Sequence, residues 1–110
     1  MGLRIQSGAA GGRKLKSPPK GAEVRPILAR IRKSLFDILR PRLSGALFLD
    51  LFAGTGTVGL EALSNGARRA VFVDVNRACC RVIHQDEHSH IGIRVPVKDR
   101  SEYGRIVVVD

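Results

Sequence analysis

At 110 residues the chain has room for one small domain, and 44% hydrophobic with 26% charged residues is the balance of a globular protein, not of a disordered or fibrous one. Nineteen Lys and Arg against ten Asp and Glu give a net charge of +9 and a pI near 10.8, which favours polyanionic partners. No apolar run is long enough for a signal peptide or a membrane span, and Gln6 breaks the myristoylation pattern. The neighbouring Cys79 and Cys80 suit neither a disulfide nor a metal pair. The expectation is a reduced cytoplasmic monomer with no membrane and no metal partner.

The charge is unevenly placed. Residues 1–42 hold eleven basic residues against Glu23 and Asp37, whereas residues 43–110 hold eight of each sign. Residues 1–26 are Gly- and Pro-rich, carry little apolar material, and read as an extended arm with one short strand near Leu3–Gln6, mobile on its own. Pro26 suits a first helical turn, and Leu28, Ile31, Leu35, Ile38 and Leu39 then recur at helical spacing. Arg30, Lys33, Asp37 and Arg40 fall on the opposite side, and Pro41 ends the helix. The division expected is a basic RNA-binding arm and helix over 1–44, then a partial Rossmann-like cofactor domain over 45–110.

Ala46–Phe52 is an apolar run broken only by Asp50, the pattern of a buried central strand. A glycine turn follows at Gly54-Thr55-Gly56, then a helix over Val58–Asn65 with Gly66 as its C′ residue, then a short strand over Ala70–Val73 closing on Asp74. That order is one βαβ unit, and the fold class is α/β with a parallel sheet. Beyond it, a helix near 76–83, a strand within 91–97 and a strand over Arg105–Val109 are expected, about four strands in all. So short a sheet leaves an apolar edge open and predicts marginal stability.

Gly54, Gly56 and Gly59 satisfy G-x-G-x-x-G, which alone is a weak dinucleotide signal. The surrounding acids shift the balance. A carboxylate at Asp50 repels a pyrophosphate but suits the sulfonium and ammonium groups of S-adenosylmethionine, and Asp74 at the end of the next strand suits ribose hydroxyls. The expected cofactor contacts are Asp50, Phe52, Ala53, Gly54, Thr55, Gly56, Gly59 and Asp74. Phosphate contacts are expected from Arg4, Arg13, Lys14, Lys16, Arg25, Arg30, Arg32 and Lys33. His84, Asp86, His88 and His90 sit in a polar tract without a rigid element and make a poor metal site. Phe36 and Phe52 read as core more readily than as base-stacking platforms.

The segment Asp50–Glu61, DLFAGTGTVGLE, resembles the first motif of the RsmD family, which methylates a guanine exocyclic amine in small-subunit (16S) ribosomal RNA. The likeness extends through Ala62–Ala67 and Val71–Asp74, and upstream through Gly12–Pro18, Arg25-Pro26 and Arg30–Leu39. The resemblance implies a Rossmann-like methyltransferase fold, S-adenosylmethionine as cofactor, and ribosomal RNA or the assembling small subunit as partner. Two departures stand out: Ile27 and Leu28 replace the polar residues usual after Arg-Pro, and the family's catalytic (Asn/Asp)-Pro-Pro-aromatic motif is absent. The chain therefore reads as a truncated member, with no catalytic residue assigned and an inactive fragment as one outcome. A non-catalytic RNA-binding remnant and a dinucleotide-binding protein are the alternatives.

Overall fold

A computed structural model describes residues 3–17, 21, 27–74 and, for the backbone alone, 105–109. The expected helix near 76–83, the strand within 91–97, Cys79, Cys80, Arg25 and the histidine tract lie outside the described residues.

The central unit is the expected βαβ. Strand β1 (Leu47–Asp50) leads through the glycine turn into helix α2 (Thr57–Ser64), which returns to strand β2 (Arg69–Asp74). The two strands pair in parallel, with Leu47 opposite Arg69 and Asp50 opposite Phe72, and each ends on an acid, Asp50 and Asp74, at the same end of the sheet. Gly66 closes α2 as anticipated. Its φ of 106° admits only glycine comfortably, and it lets Gly66 N–H reach Leu63 O and Ala67 N–H reach Ala62 O at 3.2 and 3.0 Å.

Two features of the sheet differ from expectation. Strand β3 (Arg105–Val109) lies antiparallel on β2, with Ala70 opposite Val109 and Asp74 opposite Arg105, giving the order β1-β2-β3. A run of β-branched residues fits either direction of pairing, so the residues of β3 do not encode its polarity. Among the described residues β1 is consequently an edge strand and not a central one. Its outer face is open: Leu47, Leu49 and Leu51 are more than half exposed. Phe52, at 91% exposure, is no core residue.

Helix α1 (Ala29–Leu39) precedes the sheet and starts after Leu28, later than the Pro26 start expected. One 3₁₀ turn, Arg40–Arg42, carries Pro41 and ends the helix. Only part of the aliphatic stripe of the sequence turns inward: Leu35 and Leu39 pack half-buried against the core, while Leu28, Ile31 and Ile38 are exposed. The fully buried residues of the helix are Arg32 and Phe36, one turn apart. Phe36 stacks toward Phe48 of β1 with ring centroids 6.4 Å apart, tying α1 to the sheet.

The N-terminal arm is folded onto this frame. Residues 3–15 form a hairpin closed by Ile5 N–H to Arg13 O (2.9 Å), Leu15 N–H to Leu3 O (2.8 Å) and a bridge between Arg4 and Lys14. Ile5, Ala10 and Leu15 enter the same core as Phe36, Leu43, Leu60, Leu63 and Phe72. Few apolar side chains suffice because polar contacts with α2 do the rest. Ala9 N–H donates to Ser64 O (2.7 Å), Ala10 N–H to Ser64 Oγ (2.9 Å), and Ser64 Oγ in turn donates to Ser7 O (2.6 Å).

Candidate functional site

The glycine turn lies at the carboxyl end of β1, where a parallel sheet of this kind opens its ligand crevice. Gly54 and Gly56 have φ of 55° and 83°, so both need the left-handed region that side chains avoid. Gly56 is the N-cap of α2 and provides no side-chain cap, which leaves the first-turn N–H groups of the helix beside the loop. The turn is fixed from the neighbouring strand: Ala53 N–H donates to Val73 O (3.0 Å) and Gly54 N–H to Asp74 Oδ2 (2.8 Å). Asp74 therefore shapes the loop as well as lining it.

Asp50 sits half-buried at the same strand ends. Burial pushes its carboxyl above the ordinary aspartate range, the Phe52 N–H (3.1 Å from Oδ1) pulls it down, and the charge of Asp74 pushes it up again. Two acids thus share one crevice, and a cation placed between them would relieve both desolvation and repulsion. That chemistry suits a sulfonium or ammonium and opposes a diphosphate. The residues present fit S-adenosylmethionine on this ground.

The remaining expected cofactor residues divide. Phe52 is almost wholly exposed beside the turn, open to a flat ligand. Ala53, Thr55 and Gly56 are buried in the turn itself, with the Thr55 and Thr57 hydroxyls 3.4 Å apart. Gly59 has a packing role. A Cβ there would stand 2.2 Å from Phe72 Cε1, so the bare backbone is what lets α2 lie against β2.

Of the expected phosphate-binding residues, Arg4, Arg13, Lys14, Lys16, Arg30 and Lys33 are exposed. Arg4 spends Nη1 on Gly12 O (2.9 Å) across the hairpin. Arg32 is a correction: at 2% exposure it cannot meet RNA. Its Nη2 donates to Arg4 O at 2.6 Å, while Nε and Nη1 have no hydrogen-bond partner among the described residues. Burial pulls its guanidinium pKa down and the charge of Glu61 opposes that shift. Glu61, fully buried, accepts Gln6 N–H on both oxygens (3.1 and 2.9 Å) and Ser7 Oγ at 3.2 Å. Arg32 and Glu61 are thus two buried, oppositely charged groups that are each hydrogen-bonded to the hairpin. Glu61 falls inside the glycine motif, and a lone acid on the inward side of a short apolar helix was the available signal. Ser7, Ser64 and Asn65 carried none.

Among the described residues no cluster of His, Cys, Asp and Glu could hold a metal, and no helix is long and apolar enough to cross a membrane.

The family described as Conserved hypothetical protein 95, the RsmD family, matches residues 3–102. The chain belongs to it. RsmD-family relatives include the Ribosomal RNA small subunit methyltransferase D of Escherichia coli (strain K12), 43% identical over 76 residues, or 69% of this chain and 38% of that protein. The Bacillus subtilis (strain 168) protein YlbH, provisionally named an rRNA methyltransferase, is 42% identical over 72 residues, or 66% of this chain and 39% of its own length. Among solved structures, the Escherichia coli protein yhhF, provisionally named a methyltransferase, superposes with a TM-score of 0.69 at 35% identity, covering 81% of this chain and 47% of that one. The chain thus spans about two fifths of the length of the curated RsmD-family proteins it matches, and its βαβ unit is part of a methyltransferase fold.

Proposed function

We propose that this chain holds S-adenosylmethionine and ribosomal RNA as part of a methyltransferase that modifies a guanine exocyclic amine in the small subunit. The observation that carries the reading is the convergence of Asp50 and Asp74 on one glycine turn, in a chain of the RsmD family. The bound cofactor supplies an electrophilic methyl group on a sulfonium. Asp50 offers that cation a half-buried negative charge, and Asp74 offers ribose a carboxylate already braced by the turn. Gly54 and Gly56 let the backbone approach the ligand, and Phe52 shields it from water on the open side.

Arg13, Lys14, Lys16, Arg30 and Lys33 meet phosphates and set the position of the RNA without reading its bases. Methyl transfer depends chiefly on alignment of donor and acceptor, so the hairpin and the turn contribute by orientation. Calorimetry on the chain with S-adenosylmethionine and, separately, with NAD tests the cofactor. Heat of binding with the first and none with the second is expected, and the reverse pattern would overturn the reading. RNA titrated at rising salt should show log K falling with a slope near −0.7 per phosphate contacted. A flat response would exclude a phosphate grip.

A further inference from the structure

A pocket of about 280 Å³ opens where the hairpin meets α1, away from the glycine turn, lined by Gln6, Ser7, Lys33, Phe36, Asp37 and Arg40. Its floor is the buried Phe36 and its rim is charged. Asp37 stands between two cations, with Oδ2 3.2 Å from Lys33 Nζ and Oδ1 3.6 Å from Arg40 Nη2. Arg40 Nη2 also donates to Ser7 Oγ at 3.4 Å, so helix and hairpin meet at one opening. Both ion pairs are about half or more exposed, the setting in which such pairs contribute little and exchange readily.

We propose that this pocket receives a phosphodiester of single-stranded RNA and that Asp37 is its stand-in, an internal anion that occupies Lys33 and Arg40 until RNA displaces it. The inference rests on the RNA-binding reading above and adds a specific seat to it. Three observations favour a phosphate there. The pocket lies within residues 1–42, which carry the whole positive surplus of the chain. Lys33 and Arg40 are about two turns apart on one side of the helix and can both turn from Asp37 to an incoming anion. The lone acid lowers the local charge from +2 to +1 and occupies both cations, so anion binding is gated by an exchange of partners and not by exposure alone.

The stand-in role makes an unusual prediction, because removing a residue should improve binding. In fluorescence anisotropy with a short mixed-sequence single-stranded RNA and the full chain, Asp37→Asn should bind about five-fold tighter than the parent, with a steeper salt dependence. The double variant Lys33→Gln/Arg40→Gln should bind at least about five-fold more weakly and lose roughly one unit of log K–log salt slope, at about 0.7 for each phosphate contact. Lys33→Arg keeps the charge and should keep the affinity. The thermal midpoint of each variant shows that it is folded. Unchanged or weaker binding by a folded Asp37→Asn would overturn the stand-in. If Arg13→Gln/Lys14→Gln/Lys16→Gln weakens binding while the pocket variants do not, RNA binding stands and this seat falls. If no variant of either set changes affinity, both fall.

Discussion

Replacing Gly8 by alanine should detach the hairpin while leaving the α/β unit largely intact. Gly8 has φ of +83°, and a Cβ on it would stand 2.0 Å from Ser64 O and 2.5 Å from Ser64 C. Both atoms are backbone at the end of α2, so no rotamer change relieves the overlap. The left-handed conformation itself costs an alanine about 1–2 kcal/mol. Escape requires the hairpin to lift, which breaks Ala9 N–H to Ser64 O, Ala10 N–H to Ser64 Oγ, Ser64 Oγ to Ser7 O and the Gln6 N–H contact with Glu61. At about 1 kcal/mol for each bond, and more for the one to a charged acceptor, docking loses roughly 4–6 kcal/mol. That is comparable to the whole stability of a small domain, about 5–15 kcal/mol. Limited trypsin digestion reads the outcome directly, since Arg13, Lys14 and Lys16 lie in the hairpin. The variant should be cut there at least ten-fold faster than the parent, at low protease where cleavage follows the open population. A native cleavage rate together with an unchanged urea midpoint would refute the docking argument.

Other substitutions separate the roles of single residues. Asp50→Asn should raise the thermal midpoint near pH 8 and weaken S-adenosylmethionine binding in calorimetry. The sign follows from the raised carboxyl: the folded state binds more protons than the unfolded one between the two pKa values, so ionisation destabilises as pH climbs through that window, and the midpoint gain should shrink near pH 4. Asp74→Ala removes the acceptor of Gly54 N–H and should abolish cofactor binding while sparing RNA affinity; equal loss of both would contradict the separation of sites. Gly59→Ala sets about 1–3 kcal/mol of overpacking against Phe72 against about 1 kcal/mol of helix propensity, so a net loss of up to about 2 kcal/mol should appear in urea denaturation. Arg32→Gln should lower stability by about 1–3 kcal/mol in urea denaturation, because the charged donor to Arg4 O is lost from a buried site, with the salt slope of RNA binding unchanged.

The parts of the fold that were legible in the sequence are those encoded within a few residues. The strand into Asp50, the turn at Gly54–Gly56, the cap at Gly66 and the strand closing on Asp74 each follow from local patterns and appear where expected. The inward face of α1 was legible only in part, at Leu35 and Leu39, because periodicity marks where apolar residues recur and not which neighbour is present. The hairpin supplies backbone carbonyl Arg4 O and α2 supplies the nearby acid Glu61, and these draw Arg32 inward while Ile31 and Ile38 stay wet. That the arm docks on α2 was not legible in composition, which speaks only of the arm on its own. Its seat is made of hydrogen bonds between residues more than fifty positions apart, such as Gln6 with Glu61 and Ala10 with Ser64, which leave no trace in a local window.

Helix α2 has eight residues, so its axis is only about 12 Å long at 1.5 Å per residue. One end begins at the glycine turn and the other carries Glu61 and Ser64 beneath the hairpin. Those two turns act as a gauge block between the glycine turn and the hairpin. Inserting a single residue within Thr57–Ser64 would rotate one end against the other by about 100° and move it by about 1.5 Å, swinging the hairpin's seat off the core. Length in this segment is therefore as constrained as chemistry, and variants of it should tolerate exchanges of side chain far better than changes of register.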